Sequence, residues 1–283
     1  MVVNSKEMAE VLVEALPYIQ KYRGEIVVVK YGGNAMVNDS LKRDVMSDLV
    51  LLTRVGVKVV LVHGGGPEIN SVLEKMNIPT EFVGGLRKTD AETMKVVQMV
   101  LAGKVNKDLV NLIENTGGKA IGLCGIDGHM IEARPVNAKL GFVGEITNVD
   151  TRLVLEMLDA GFIPVVSTIG YDNEGNVYNI NADTVAARLA GALKANALIS
   201  MTDVKGILQD KNDESTLISQ IAVSDAPHLI KLGVIQGGML PKVECCIEAI
   251  RRGVKKVFII DGRVPHSIVV EMLSDTGTGT MFF

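Results

Sequence analysis

Six short runs of apolar, largely β-branched residues punctuate the chain, at 26–29, 57–62, 120–123, 162–167, 197–200 and 256–260. Most are apolar throughout instead of alternating, which is the pattern of strands covered on both faces. Helical spacing fills the gaps between them. Leu41, Val45, Leu49 and Leu52 mark one face of a helix over 40–54, and Leu109, Leu112 and Ile113 mark another. Leu153, Leu155, Met157 and Leu158 belong to a third, and Val185, Leu189 and Leu193 to a fourth. Strand alternating with helix predicts an α/β fold, with a mainly parallel sheet sandwiched by helices.

Two stretches break this rhythm. Residues 124–149 and 170–181 are rich in Gly, Asn and Asp with scattered β-formers, and read as β-hairpins at the edge or end of the sheet. Residues 172–175 make a good turn, and 211–214 a polar surface loop. Ahead of the first strand, Met8, Val11, Leu12, Ala15, Leu16 and Ile19 give residues 5–22 one apolar face, with Pro17 expected to kink or end the helix. Such a helix either folds back on its own core or packs as an arm on another subunit. The length, 283 residues, suggests two lobes, and with no low-complexity linker they are expected to share one sheet.

Composition narrows the function. At 47% hydrophobic residues the chain has ample material for a core, which excludes global disorder. Its 29 basic and 33 acidic residues leave a net charge of -4, and Trp is absent, which argues against a nucleic-acid partner. No apolar run approaches the ~20 residues of a membrane span, and the N-terminus lacks the apolar centre of a signal peptide. Cys124, Cys245 and Cys246 form neither a disulfide framework nor a CxxC pair, and read as buried thiols in a reducing compartment. A soluble, cytoplasmic protein acting on small molecules is expected.

Neither GxxxxGK[ST] nor GxGxxG occurs. Instead, two glycine turns each follow an apolar strand: Lys30-Tyr31-Gly32-Gly33-Asn34 and His63-Gly64-Gly65-Gly66-Pro67. At the carboxyl ends of parallel strands their N–H groups can approach an anion closely, so together they suggest a phosphate site. His63 reads as a structural or orienting residue. Arg87, just after two glycines, suits bidentate capture of a carboxylate, although an ordinary surface Arg is an alternative. Asp183 opens a helix, where a first-turn acid needs no further role. Lys242 follows Gly237 and Gly238 into another helix; a cation there opposes the helix dipole and invites an anionic ligand.

Six motifs in this order are similar to those of the amino acid kinase family over essentially the whole chain: KYGGNAM at 30–36, HGGGPEIN at 63–70, GLRKTD at 85–90, NINADT at 179–184, TDVKGIL at 202–208 and GGMLPKVE at 237–244. The resemblance is closest to the branch that uses ATP, with Mg2+ carried on its phosphates, to phosphorylate the γ-carboxylate of N-acetyl-L-glutamate in arginine biosynthesis. Sister kinases acting on glutamate, aspartate, carbamate or UMP are alternatives, as is a non-catalytic arginine sensor. The resemblance implies a three-layer αβα sandwich around an open eight-stranded sheet. Residues 1–22 would be an oligomerisation arm, 23–193 an acceptor-binding lobe that also dimerises, and 194–283 an ATP lobe.

By the same resemblance, Lys30 and Lys242 stabilise the transferring phosphoryl group and Asp183 holds both. Gly65, Gly66, Arg87 and Asn179 bind the acceptor. Gly32, Gly33, Gly64, Asp203, Val204, Lys205, Gly206, Ile207, Leu208, Gly237 and Gly238 bind ATP or its phosphates. Tyr18, Lys194, His266, Glu271 and Gly277 would form a site for L-arginine as feedback inhibitor of a homohexamer built from dimers.

Overall fold

The computed structural model describes residues 5–36 and 38–283. The chain opens with two helices, α1 (Ser5–Glu14) and α2 (Leu16–Tyr22), separated at Ala15. Pro17 lies in the first turn of α2, where its missing N–H costs no intrahelical bond. Next come β1 (Ile26–Tyr31), α3 (Asp39–Arg54), β2 (Lys58–His63) and α4 (Gly66–Lys75). Asn38 caps α3, its side chain accepting from the N–H groups of Ser40 and Leu41.

A hairpin of β3 (Phe82–Val83) and β4 (Leu86–Arg87) leads to α5 (Ala91–Gln98), a π-helical segment (Met99–Val105) and α6 (Asn106–Asn115). β5 (Ala120–Cys124), β6 (Ile131–Pro135), β7 (Gly144–Val149), α7 (Arg152–Asp159) and β8 (Ile163–Ser167) follow. Then come β9 (Ile169–Tyr171), β10 (Val177–Asn179), α8 (Ala182–Ala192) and β11 (Ala197–Thr202). β12 (Gln220–Ile221), α9 (Ala226–Lys231), α10 (Met239–Arg251), β13 (Lys256–Asp261), α11 (Ser267–Leu273) and β14 (Thr280–Phe282) complete the chain.

Eight strands form one open sheet in the order β12-β14-β13-β11-β1-β2-β8-β5, parallel except where β14 runs against β13. All six apolar runs are strands of it. Alternate residues of β1 enter different cores: Val27 and Val29 pack with α3, α5 and α6, and Val28 packs with α7, α8 and α10. Burial on both faces is why these strands are apolar on both faces along most of their length, with polar residues mainly at their ends. Residues 26–167 build one side of the sheet and 197–282 the other, meeting where β1 pairs with β11 from Val27↔Ala197 to Lys30↔Ser200.

Residues 124–149 and 170–181 do more than project as separate hairpins. They assemble a second sheet, β10-β9-β6-β7, in which Glu132 pairs with Tyr171. That long-range pairing has no local signature. β12 and β14 escape the apolar pattern because they are only 2 and 3 residues long. At the N-terminus Tyr22 is buried, but Val11, Leu12 and Val13 on α1 are 62%, 68% and 69% exposed, so this apolar surface does not fold back on the chain's own core.

Candidate active site

β1 and β2 are parallel neighbours with Tyr31 opposite His63, so their glycine turns leave the sheet side by side. The Gly64 N–H donates to the Tyr31 carbonyl (3.1 Å), tying one turn to the other. In the first turn, Gly33 has φ +71°, and a Cβ there would come within 2.7 Å of Asp203 Oδ1. In the second, a Cβ on Gly65 would lie 2.6 Å from Leu101 Cδ2, so a side chain there would require Leu101 to shift.

Lys30 sits on β1 between β2 and β11, and its ammonium reaches Asp183 Oδ1 at 3.0 Å. Asp183 is fixed in the first turn of α8, where the Asn181 side chain caps the helix by accepting the N–H groups of Asp183 and Thr184. Its other oxygen, Oδ2, accepts from Lys242 Nζ at 3.0 Å, delivered by the first turn of α10. Residues from three elements therefore converge on one carboxylate. Burial alone would push the Asp183 carboxyl up, but Lys30 and Lys242 outweigh it and hold the group below its ordinary range. Burial pulls the Lys30 ammonium down, with Asp183 opposing and Lys242 reinforcing the shift.

A cavity of about 180 Å³ adjoins this triad, lined by Gly64, Gly65 and Gly66, Ile69, Arg87, Leu101, Val143 and Asn179 among others. It is smaller than the ~300–1,000 Å³ of drug-sized sites. Arg87 NH2 donates to Asn70 Oδ1 at 2.6 Å, and the guanidinium lies 4.7 Å from the Phe82 ring centre. Arg87 NH1 is buried with no hydrogen-bond partner among the described residues. Asn179 Nδ2 donates to Thr89 Oγ1 at 3.2 Å. None of the described residues that line this cavity carries a carboxylate.

Residues 203–208 leave the carboxyl end of β11, beside β1. Asp203 faces Gly33, Val204 is 40% exposed, and Lys205 lies 3.9 Å from Glu214. Gly206 has φ +155° beside Thr280, whose Oγ1 accepts the Ile207 N–H at 2.8 Å, and Leu208 bridges to Leu217. Gly237 (φ +57°) and Gly238, the N-terminal cap of α10, precede Lys242 at the entrance to that helix. His63 is fully buried beneath the second turn, and burial drives its imidazole down to about 4, so it is neutral at ordinary pH.

Of the five residues expected to form an effector site, the structure brings three together. Tyr18, Glu271 and Gly277 line a cavity of about 560 Å³ between α2, α11 and the segment before β14. Lys194 and His266 are elsewhere. Lys194 donates to the Arg252 carbonyl at the end of α10, and His266 Nδ1 meets Asp48 of α3 at 2.6 Å. The family resemblance grouped both with the others, but His266, at the start of α11, pairs with Asp48 of α3, and Lys194 lies against the end of α10. The cations that do line it, Lys21 and Lys256, escaped the sequence reading. So did Leu101 and Asn106, which belong to none of the six motifs, and Asn70, which ends the 63–70 motif with no role assigned to it.

Among the described residues no helix is long and apolar enough to cross a membrane, and all three cysteines are free thiols. The model of the amino acid kinase family matches residues 25–261. The acetylglutamate kinase of Brachyspira hyodysenteriae is 56% identical over 282 residues, spanning 99% of this chain and 98% of its own length. That of Clostridium kluyveri is 55% identical, spanning 99% and 100%. Among solved structures, N-acetylglutamate synthase from Neisseria gonorrhoeae, complexed with coenzyme A and N-acetyl-glutamate, superposes with a TM-score of 0.84 at 24% identity. That match covers 97% of this chain but 63% of the synthase, and shows the shared fold. With its motifs in order, its sheet in this topology and relatives identical at more than half of their positions, the chain belongs to the amino acid kinase family.

Proposed function

We propose that the protein transfers the γ-phosphoryl group of ATP to the γ-carboxylate of N-acetyl-L-glutamate, giving N-acetyl-L-glutamyl 5-phosphate and ADP, a step of arginine biosynthesis. The observation that carries this reading is the pair of ammonium groups held 3.0 Å from opposite oxygens of Asp183, beside two glycine turns. The acceptor carboxylate is already ionised at neutral pH, so no general base is needed. A carboxylate oxygen forms the new bond to phosphorus while the bond to the ADP oxygen breaks, and no proton moves. The difficulty is bringing two anions together, and positioning with electrostatic stabilisation does the catalysis. Lys30, Lys242 and the glycine N–H groups supply the positive potential, while Asp183 offsets the repulsion between the lysines.

The cavity lining favours an N-acylated acceptor. A free α-ammonium group would need a carboxylate partner, and the cavity has none. Arg87 takes the α-carboxylate through its unpaired NH1, Asn179 assists, and Ile69, Leu101 and Val143 receive the acetyl methyl group. ATP lies along residues 203–208 and the Gly237-Gly238 entrance to α10, with its phosphates toward Gly32, Gly33 and Gly64. Mg2+ belongs on those phosphates, since among the described residues no group of three or more His, Cys, Asp or Glu side chains gathers to hold it and Asp183 is already shared by two lysines. Residues 23–193 thus form the acceptor lobe and 194–283 the nucleotide lobe. We place the enzyme in the cytoplasm, where ATP is available and thiols stay reduced.

The cavity beside α2 fits L-arginine as an inhibitor: Glu271 for the guanidinium, Lys21 and Lys256 for the carboxylate. The exposed apolar face of α1 fits a homohexamer of dimers joined through this arm.

The deciding experiment is ATP-dependent acyl phosphate formation trapped with hydroxylamine. Turnover is expected with N-acetyl-L-glutamate and far less with glutamate, aspartate or carbamate. Equal rates with free glutamate would reject the acceptor assignment, and no acyl phosphate at all would reject the kinase.

A further inference from the structure

Beneath the second glycine turn lies a buried polar stack that phosphoryl transfer does not use directly. His63 Nδ1 is 2.8 Å from the Gly64 carbonyl oxygen, which can only accept, so Nδ1 carries the proton. Nε2 of the neutral ring is then an acceptor, and Asn106 Nδ2 approaches it at 3.2 Å. The Asn106 amide has one orientation. Its Nδ2 also faces the carbonyl oxygens of Val165 (2.8 Å) and Leu123 (3.3 Å); of its two hydrogens one goes to Val165 and the other to the nearer of the two remaining acceptors, His63 Nε2, while Oδ1 accepts from Lys107 Nζ at 3.1 Å. Both His63 and Asn106 are essentially inaccessible to solvent.

The π-helical segment Met99–Val105 ends immediately before Asn106. Such wide turns are uncommon and recur at functional sites. Here the segment presents Leu101 and Val105 to Gly65 and sets Asn106 under the imidazole. Across a trans peptide the C=O and N–H point in opposite directions. Holding the Gly64 carbonyl toward the buried ring therefore turns the Gly65 N–H away from it, on the side where Gly64, Gly65 and Gly66 line the acceptor cavity.

We propose that Asn106 is a positioning residue for phosphoryl transfer: by donating to His63 Nε2 it fixes the Nδ1–H tautomer, which locks the Gly64–Gly65 peptide and aims the Gly65 N–H into the acceptor cavity, where the reacting carboxylate meets the phosphoryl group. Burial keeps the ring neutral, and the charge of Lys107 acts in the same sense against the opposing bond to Gly64. An imidazolium would set an Nε2–H against the Asn106 amide hydrogens and break the stack. The inference rests on the kinase reading above.

The test compares the full-length wild-type enzyme with Asn106→Leu and Asn106→Asp. The leucine keeps volume but removes the donor, and kcat is expected to fall about 10- to 100-fold, the loss expected of one misdirected transition-state donor, with KM for both substrates within about threefold. The aspartate accepts a proton from Nε2 instead, so kcat should gain a new ionisation between about pH 6 and 8 that the wild type lacks. Nitrogen NMR of the wild-type protein should show His63 as the Nδ1–H tautomer, untitrated across that range. Wild-type kcat per folded molecule in the leucine variant, an unchanged pH profile in the aspartate variant, or a titrating or Nε2–H His63 would each overturn the proposal. The NMR result decides even if a variant does not fold. A wild-type enzyme that forms no acyl phosphate would reject the kinase reading instead.

Discussion

Lys30 and Lys242, one on a central strand and the other at the entrance to a helix near the chain's far end, are tethered to the two oxygens of the same carboxylate at 3.0 Å each. Neither ammonium is placed by its own backbone alone. Each is held where Asp183 pulls it, which preorganises positive charge before any substrate arrives.

Replacing either lysine by alanine should lower kcat by about two to four powers of ten. Steady-state assay of Lys30→Ala and Lys242→Ala checks this, and near-normal turnover would remove that residue from the mechanism. Asp183→Asn should also be impaired, because it leaves two cations facing each other without the carboxylate between them.

Arg87→Ala should act on the acceptor alone. Losing one charge-assisted contact worth roughly 1.5–3 kcal/mol predicts a KM for N-acetyl-L-glutamate about 10- to 100-fold higher. KM for ATP should stay within about threefold. Equal effects on both substrates would contradict the placement of Arg87 in the acceptor cavity.

His63 makes stability depend on pH. Its folded value of about 4 lies below the ordinary 6.5, so between these values the unfolded chain binds more protons and stability falls as pH is lowered. The full loss is on the order of 3 kcal/mol. Denaturant unfolding at a series of pH values should show this slope, and His63→Gln should flatten it.

His266 joins α11 to α3 through Asp48, whose Oδ2 is buried without a partner. The bond and charge of Asp48 raise the His266 pKa. Its contribution is therefore complete below the ordinary histidine value and lost as pH rises through the raised one. His266→Ala should destabilise the protein by about 1–3 kcal/mol near pH 6, because it leaves Asp48 buried with no histidine partner. An unchanged unfolding midpoint would show that the contact contributes nothing.

Removing residues 1–22 should leave particles smaller than a hexamer and abolish inhibition by arginine. Light scattering and an arginine titration read both. A truncated protein that is still hexameric and still inhibited would dismiss the role of this arm.

Much of the fold is legible along the chain because both cores constrain it locally. A strand covered on both faces is apolar along most of its length, so β1, β2, β5, β8, β11 and β13 announce themselves. The glycine turns are equally plain, since consecutive glycines directly after an apolar run stand out in the sequence. The edge strands β12 and β14 are too short to leave a pattern, and the second sheet depends on the remote pairing of Glu132 with Tyr171.

The sequence by itself determined which side chains carry charge, where the chain turns on glycine and which family's motifs it bears. Only the tertiary structure decided what meets what. It put Lys30, Asp183 and Lys242 within hydrogen-bonding distance, set Asn106 under His63, and sent Lys194 and His266 away from the cavity that holds Tyr18 and Glu271. The reason is physical: hydropathy and turn propensity act between near neighbours, whereas these encounters depend on how helices seat across a sheet shared by distant parts of the chain.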